Sequence, residues 1–277
     1  MPEGAQLVQL RLRVRDRARA LEFYGGLLGL RVQEEEGAVV RLAPEGRAFQ
    51  LELEWAPHAP PNPTGSVGLY HFALLLPDRA ALAQVVRRLM DAAWPVEGAS
   101  DHGVSEAFYL SDPEGNGLEL YRDRPRELWP WRDGELRMVT KALDVASVLR
   151  EARTSAGLHP STRLGHVHLH VADLQSAEAF YAGLLGLAVT QRSYPGALFF
   201  AAGGYHHHVG TNVWGTRRRA PEGSTGLVRY AWQVPSGTAR ALAQQLASVG
   251  TPPHQETGEV KVVDPAGVEV VVREAGG

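Results

Sequence analysis

The chain predicts an α+β fold assembled from four copies of one βαβββ module. Three observations carry this. The stretch Leu21-Glu22-Phe23-Tyr24-Gly25-Gly26-Leu27-Leu28-Gly29-Leu30 recurs as Ala179-Phe180-Tyr181-Ala182-Gly183-Leu184-Leu185-Gly186-Leu187, and each copy follows an alternating apolar run, residues 8–14 and 166–171, that reads as a strand. Two hairpin turns, Asp112-Pro113-Glu114-Gly115-Asn116-Gly117 and Asp264-Pro265-Ala266-Gly267, close two further units. His71 and His166 open matching segments, each with an aspartate seven positions on, Asp78 and Asp173, at the head of an amphipathic stretch. A neutral imidazole at the same place in two copies of one unit is how a repeat fold builds a metal site at its seam.

The elements follow in order. Module 1 spans 7–57: a first strand, then an amphipathic helix whose Phe23-Tyr24 pair packs into the core and which stops at Gly29. Module 2 spans 67–125, with a helix near 80–93 and closing strands at Ala107-Phe108-Tyr109-Leu110 and Leu118-Glu119-Leu120-Tyr121. A long connection, 126–160, carries Trp129-Pro130-Trp131 and a helix near 142–152. It is expected to pack across the halves, with both tryptophans as buried anchors. Module 3 spans 162–215 and repeats the Phe-Tyr helix, stopped at Gly186. Module 4 spans 226–273, with a helix near 238–249 and strands at 260–263 and 268–272. The halves read as an N-terminal domain, 1–125, and a C-terminal domain, 161–277.

Bulk properties narrow the function. A chain of 277 residues can bury two ordinary cores. A net charge of −3 leaves no basic footprint for nucleic acid. No apolar run approaches the ~20 residues that cross a bilayer. The start, Met1-Pro2-Glu3-Gly4-Ala5-Gln6, lacks a basic-then-apolar leader. A cytoplasmic protein with neither membrane nor nucleic acid as partner is therefore expected. Cysteine is absent, so any metal must be held by nitrogen and oxygen.

Three segments carry a family resemblance: Tyr70-His71-Phe72-Ala73-Leu74-Leu75-Leu76-Pro77-Asp78, the run from Tyr109 through Asp112-Pro113-Glu114-Gly115-Asn116-Gly117 to Glu119, and Gly203-Gly204-Tyr205-His206-His207-His208. Over nearly its whole length the chain resembles the vicinal-oxygen-chelate superfamily of glyoxalase I, bleomycin-resistance proteins and type I extradiol dioxygenases. Within it, the chain looks like the tandem-module catechol-2,3-dioxygenase branch. That resemblance implies two U-shaped mixed-sheet half-barrels, each made of two modules, with metal ligands on the first and last strands of a pair. The first-strand positions are Gln9, His71, His166 and Arg229 (or Tyr230 one register on). The last-strand positions are Glu52, Glu119, Thr211 (or nearby His208) and Glu269. Arginine cannot ligate a cation, and module 1 offers only an amide and a carboxylate. His71, His166 and Glu119 remain as metal ligands. Two histidines and one carboxylate with open positions opposite is the set that holds non-haem Fe(II), and it also accepts Mn(II).

The resemblance assigns further roles. His208 matches a catalytic acid/base, with His206 and His207 as the alternatives in a run whose neighbours face opposite ways. Tyr109, ten residues before Glu119, matches a substrate-bonding tyrosine. His102 matches a histidine that orients the ligands and their neighbours. These partners fall in modules 2 and 3, so those two are expected to share one cavity while modules 1 and 4 pair as a structural counterpart. His168 and His170 point the same way as His166 by strand period and read as supporting residues. His58, His159 and His254, in loops near prolines, read as exposed, and Arg217-Arg218-Arg219 as a solvated loop.

The leading expectation is an Fe(II)-dependent extradiol ring-cleavage dioxygenase taking a catechol-type aromatic diol and O2, a homodimer by family habit. Two alternatives stand beside it. A glyoxalase I-like metalloisomerase would use Gln9, Glu52, His71 and Glu119 around Zn or Ni. A bleomycin-resistance-type binder would have a cavity and no working metal. An approach of His71 to His166 favours the first; an approach of Gln9 to His71 favours the second.

Overall fold

The computed structural model describes the chain apart from residues 154–156, 249, 251–253, 257 and 276–277. Each module contributes four strands. Module 1 holds β1 (Gln6–Val14), β2 (Arg31–Glu36), β3 (Val39–Ala43) and β4 (Gln50–Trp55). Module 2 holds β5 (Gly68–Leu75), β6 (Gly98–Asp101), β7 (Ser105–Ser111) and β8 (Gly117–Asp123). Three two-residue strands follow in the connection: β9 (Trp131–Arg132), β10 (Glu135–Leu136) and β11 (Lys141–Ala142). Module 3 holds β12 (Arg163–His170), β13 (Ala188–Gln191), β14 (Ala197–Ala201) and β15 (Val209–Asn212). Module 4 holds β16 (Gly226–Val234), β17 (His254–Glu256), β18 (Glu259–Val263) and β19 (Glu269–Glu274).

Two curled mixed sheets result. One runs β17-β18-β19-β16-β1-β4-β3-β2, and the other β11-β6-β7-β8-β5-β12-β15-β14-β13. Each sheet takes one module from each half of the chain: 1 with 4, and 2 with 3. The seams are antiparallel pairings of first strands, β1 with β16 and β5 with β12. Because the modules meet first strand to first strand, the centre of each sheet is the place where both halves present the same register position.

The helices cover one face of the sheets and complete the core. Asp16, Asp78 and Asp173 cap their helices by accepting from the backbone N–H three residues on, which satisfies one of the orphan donors of a first turn. In modules 2 and 4 the helices are regular, α2 (Arg79–Asp91) and α5 (Thr238–Ser248). In modules 1 and 3 they are α1 (Arg17–Leu21) and α4 (Leu174–Glu178), each widening into a π-turn, Glu22–Leu27 and Ala179–Leu184. These π-turns seat the buried aromatic pairs, and each tyrosine reaches the hairpin aspartate of the next module. Tyr24 donates to Asp112 at 2.7 Å and Tyr181 to Asp264 at 2.6 Å. Each half of the chain is thus clasped across its two modules by a buried tyrosine–aspartate hydrogen bond. Gly29 and Gly186 end these elements at positive φ, +83° and +67°.

The connection departs from expectation in two respects. Its helix is shorter, α3 (Val145–Leu149). Trp129 is buried, but Trp131 is exposed. Trp129 can anchor because its ring meets Tyr205 and His206 and its N–H donates to the Arg124 carbonyl; Trp131 instead sits on the two-residue hairpin formed by β9 and β10. The segment does bridge modules 2 and 3: β11 pairs with β6, while the Gln191 side chain bonds the Met138 backbone. His58 and His159 are exposed, as are Arg217, Arg218 and Arg219. The expectations for the His254 side chain and for residue 249 at a helix end lie outside the described residues. No described helix is long and apolar enough to cross a membrane.

Candidate metal centre

The seam of the sheet shared by modules 2 and 3 brings three donors together. Ala73 on β5 pairs with Glu119 on one side and with His166 on the other, so these three form one row and point to one face. His71, two residues before Ala73 on β5, faces the same way. The distances are 3.3 Å for His71 Nε2 to His166 Nε2, and 3.1 Å from each of those nitrogens to Glu119 Oε2. All three residues are buried and form the cluster of candidate ligands found among the described residues.

Small residues make the approach possible. Ala73, fully buried at the middle of the row, fills little of the space between the Glu119 and His166 side chains. Gly117 lies beside His71, and a Cβ there would stand 2.1 Å from the Tyr70 carbonyl and 3.0 Å from the His71 Cβ. Gly210 lies beside His168, where a Cβ would meet the imidazole at 2.9 Å.

The donor set fits a divalent cation. Donors about 2.1 Å from an ion stand about 3.0 Å apart at right angles and about 3.4 Å apart in a tetrahedron; the observed edges lie between. The protonation states suit it as well. Burial, opposed by Glu119, lowers the His166 pKa to about 4, leaving a neutral imidazole with a free lone pair. Burial by itself would raise the Glu119 carboxyl, but His166 and His71 outweigh it and hold the acid well below the carboxylate range. His166 Nδ1 has no hydrogen-bond partner.

A cavity of about 280 Å³ opens on this cluster. Its wall is largely aromatic, with Tyr70, Tyr109, Tyr194, Phe199 and Trp214 joined by His71, Glu119, His102, His168 and His207. The connection closes it with Met138 and Thr140. Tyr109 faces Glu119 across the β7–β8 ladder, and its hydroxyl lies 2.6 Å from His102 Nε2. His102 Nδ1 lies 2.7 Å from the Val139 carbonyl, which only accepts. His102 Nδ1 therefore carries a hydrogen, and the Tyr109 hydroxyl stands within hydrogen-bonding reach of both His102 Nε2 and Glu119. Burial, with Glu119 nearby, pushes the Tyr109 pKa well up, so it stays a phenol.

His208 is not in this cavity. It lines a second one with Glu3, Arg126 and Arg163, packs against Tyr205 and Trp232, and accepts from the Ala202 N–H. His207 is the member of the run that reaches the cluster, with its ring centroid 4.1 Å from that of His166. The resemblance puts its acid/base histidine on a last strand, but residues 203–208 precede β15 in a loop where Gly203 and Gly204 both have positive φ. His168 also lines the cavity rather than serving only as support, and its Nε2 is buried without a partner. Tyr70 and Trp214 are cavity residues to which the sequence assigns no role; a register shift between Leu69 and His71 falls at Tyr70, whose ring meets those of His168 and His170. His170 bonds Asn212 at 2.7 Å.

The same row in the other sheet holds different chemistry. Arg11 occupies the place of Ala73, Glu52 that of Glu119, and Arg229 that of His166. Arg11 bonds Glu52 at 2.6 Å, Arg41 bonds it at 3.1 Å, and Arg229 pairs with Glu269 at 2.7 Å. Guanidinium groups there supply the positive charge, and Gln9 is bonded to Gln50. Gln9 and Glu52 thus stand on the sheet opposite to His71 and Glu119, with partners of their own.

The Glyoxalase/Bleomycin resistance protein/Dioxygenase superfamily matches residues 6–120 and 163–272. The catechol-2,3-dioxygenase of Bacillus subtilis (strain 168) is 39% identical over 272 residues, covering 95% of each chain. The 2,2',3-trihydroxybiphenyl dioxygenase of Sphingomonas paucimobilis is 26% identical over 192 residues, 67% of this chain and 57% of that one. Among solved structures, glyoxalase I from Zea mays superposes with a TM-score of 0.60 at 17% identity, covering 98% of this chain and 92% of that one, a likeness of fold.

Proposed function

We propose that this chain, which belongs to the Glyoxalase/Bleomycin resistance protein/Dioxygenase superfamily, is a metal-dependent extradiol ring-cleavage dioxygenase that opens a catechol-type diol with O2. The observation that carries the reading is the meeting of His71, His166 and Glu119 within 3.3 Å of one another, with His71 and Glu119 lining an aromatic cavity. The name of the Bacillus subtilis relative supports the substrate class. Two imidazoles and one carboxylate favour Fe(II), with Mn(II) accommodated by the same donors. Bound there, the metal supplies the Lewis acidity and redox chemistry that the reaction of a diol with dioxygen requires.

The chain's own residues bind, orient and move protons. Tyr70, Phe199 and Trp214 hold an aromatic ring and keep water from it; a cavity of about 280 Å³ suits a small ligand. Tyr109, within reach of His102, hydrogen-bonds a substrate oxygen. His207 acts as general acid/base, worth on the order of 10²–10⁴-fold. The ring opens beside the two hydroxyls to a yellow semialdehyde. The isomerase arrangement lacks this support, because its four donors are divided between two sheets.

Metal analysis of anaerobically purified protein and a catechol assay read by yellow colour test the reading together. About one Fe per chain and colour are expected. His71→Ala or His166→Ala should empty the site, and Gln9→Ala should leave it filled. Absence of colour with Fe(II)-loaded protein across several catechols refutes the activity; loss of metal in the Gln9 variant refutes the ligand set.

A further inference from the structure

Behind His207 runs a polar chain, buried at both histidines and ending at the partly exposed Asp123, that the ligand set does not use. His207 Nδ1 lies 2.8 Å from His206 Nδ1, and His206 Nε2 lies 2.9 Å from Asp123 Oδ1. The Tyr205 hydroxyl also donates to Asp123 Oδ1, at 3.1 Å, and Tyr121 contacts that hydroxyl at 2.8 Å. His206 is fully buried, and its carbonyl accepts from the Thr190 hydroxyl at 2.6 Å, which pins the loop. Asp123, at the end of β8, belongs to module 2, whereas the histidines belong to module 3. The chain therefore spans the same seam as the ligands.

We propose that Asp123 and His206 are positioning residues that hold His207 in one tautomer, with its lone pair on Nε2 in the cavity. The inference rests on the acid/base role proposed above for His207. The argument is one of donor and acceptor count. A carboxylate oxygen that takes two donors is an acceptor only, so His206 Nε2 carries the hydrogen. An imidazole carrying that single ring hydrogen has its lone pair on Nδ1. A contact of 2.8 Å between two nitrogens needs one hydrogen between them, and His207 Nδ1 must supply it. The nitrogen left to the cavity, His207 Nε2, is then a proton acceptor as the ring meets its substrate. The opposite tautomer would set lone pair against lone pair in a buried site, at the cost of an unmade hydrogen bond. Two imidazoles in series thus carry the orientation set by one carboxylate, in the way a buried aspartate orients a catalytic histidine directly.

Neutron diffraction on the deuterated, metal-loaded protein tests this without turnover. Deuterium on His206 Nε2 and His207 Nδ1, with none on His207 Nε2, is the expected result; deuterium on His207 Nε2 overturns the proposal. Kinetics supply a second arm. Asp123→Asn can turn its amide toward His206 and reverse both tautomers. It should lower kcat on the order of 10–100-fold at full metal content, with KM for catechol within about twofold. An unchanged kcat, or a loss of metal in step with activity, overturns the proposal. A wild-type protein that cleaves no catechol refutes the proposed function, while the deuterium positions still decide this inference.

Discussion

Replacing Asp264 by asparagine should remove a large pH dependence from the stability of the fold. Asp264 opens the hairpin of module 4, is 3% exposed, and accepts from Tyr181 at 2.6 Å, Tyr230 at 3.3 Å and the Val268 N–H at 2.9 Å. Burial outweighs these bonds and raises its pKa from 3.8 to about 6. The folded state therefore binds this proton more tightly than the unfolded chain does. Stability from this group is full below pH 3.8 and is lost as pH rises toward 6. The gap between 3.8 and about 6, at ~1.4 kcal/mol per pH unit, amounts to about 3 kcal/mol. Between pH 4 and pH 7 about 2 kcal/mol of it should appear. Urea unfolding of wild type and Asp264→Asn across that range isolates the term, because the other carboxylates cancel in the difference. Relative to the variant, wild type should weaken by about 2 kcal/mol as pH rises. A pH-independent difference, or one of opposite sign, would refute the reasoning. Its counterpart Asp112 has an extra donor, the Asn116 amide at 2.9 Å, where module 4 has Val268.

Two further predictions concern the seam and the loop. Ala73→Leu pushes three carbons into the space between Glu119 and His166, so metal content should fall at least about tenfold while circular dichroism reports a folded protein weakened by about 1–3 kcal/mol; a leucine variant with full metal would show that Ala73 does not gate the site. His207→Ala should reduce kcat by about 10²-fold, whereas His208→Ala should stay within about threefold of wild type. The reverse order would move the acid/base to the other side of the sheet.

Much of the fold, and the residues that meet at the centre of the candidate site, were legible in the sequence. The Phe-Tyr helices, the Asp-Pro hairpins and the paired His71 and His166 segments repeat, and repetition fixes equivalent register positions. Strand alternation then carries direction: on β5, β8 and β12 a residue's face follows from its parity. The family resemblance, which puts ligands on the first and last strands of paired modules, names His71, Glu119 and His166 together, and Arg229 marks module 4 as unsuited to a metal because a guanidinium cannot ligate a cation. The run at 206–208 was not legible in the same way. It lies in a loop with two glycines at positive φ, where parity carries no information, and the facing of each ring is set by Asp123, Trp129 and Phe199 from elsewhere in the chain.

Local order was thus written in the sequence wherever hydrogen-bonded ladders enforce a period of two. Tertiary structure decided the rest: which tryptophan of the connection is buried, that Tyr70 and Trp214 wall the cavity, and that guanidinium groups occupy the second seam. Those outcomes depend on contacts between residues far apart in the chain, and no local periodicity encodes them.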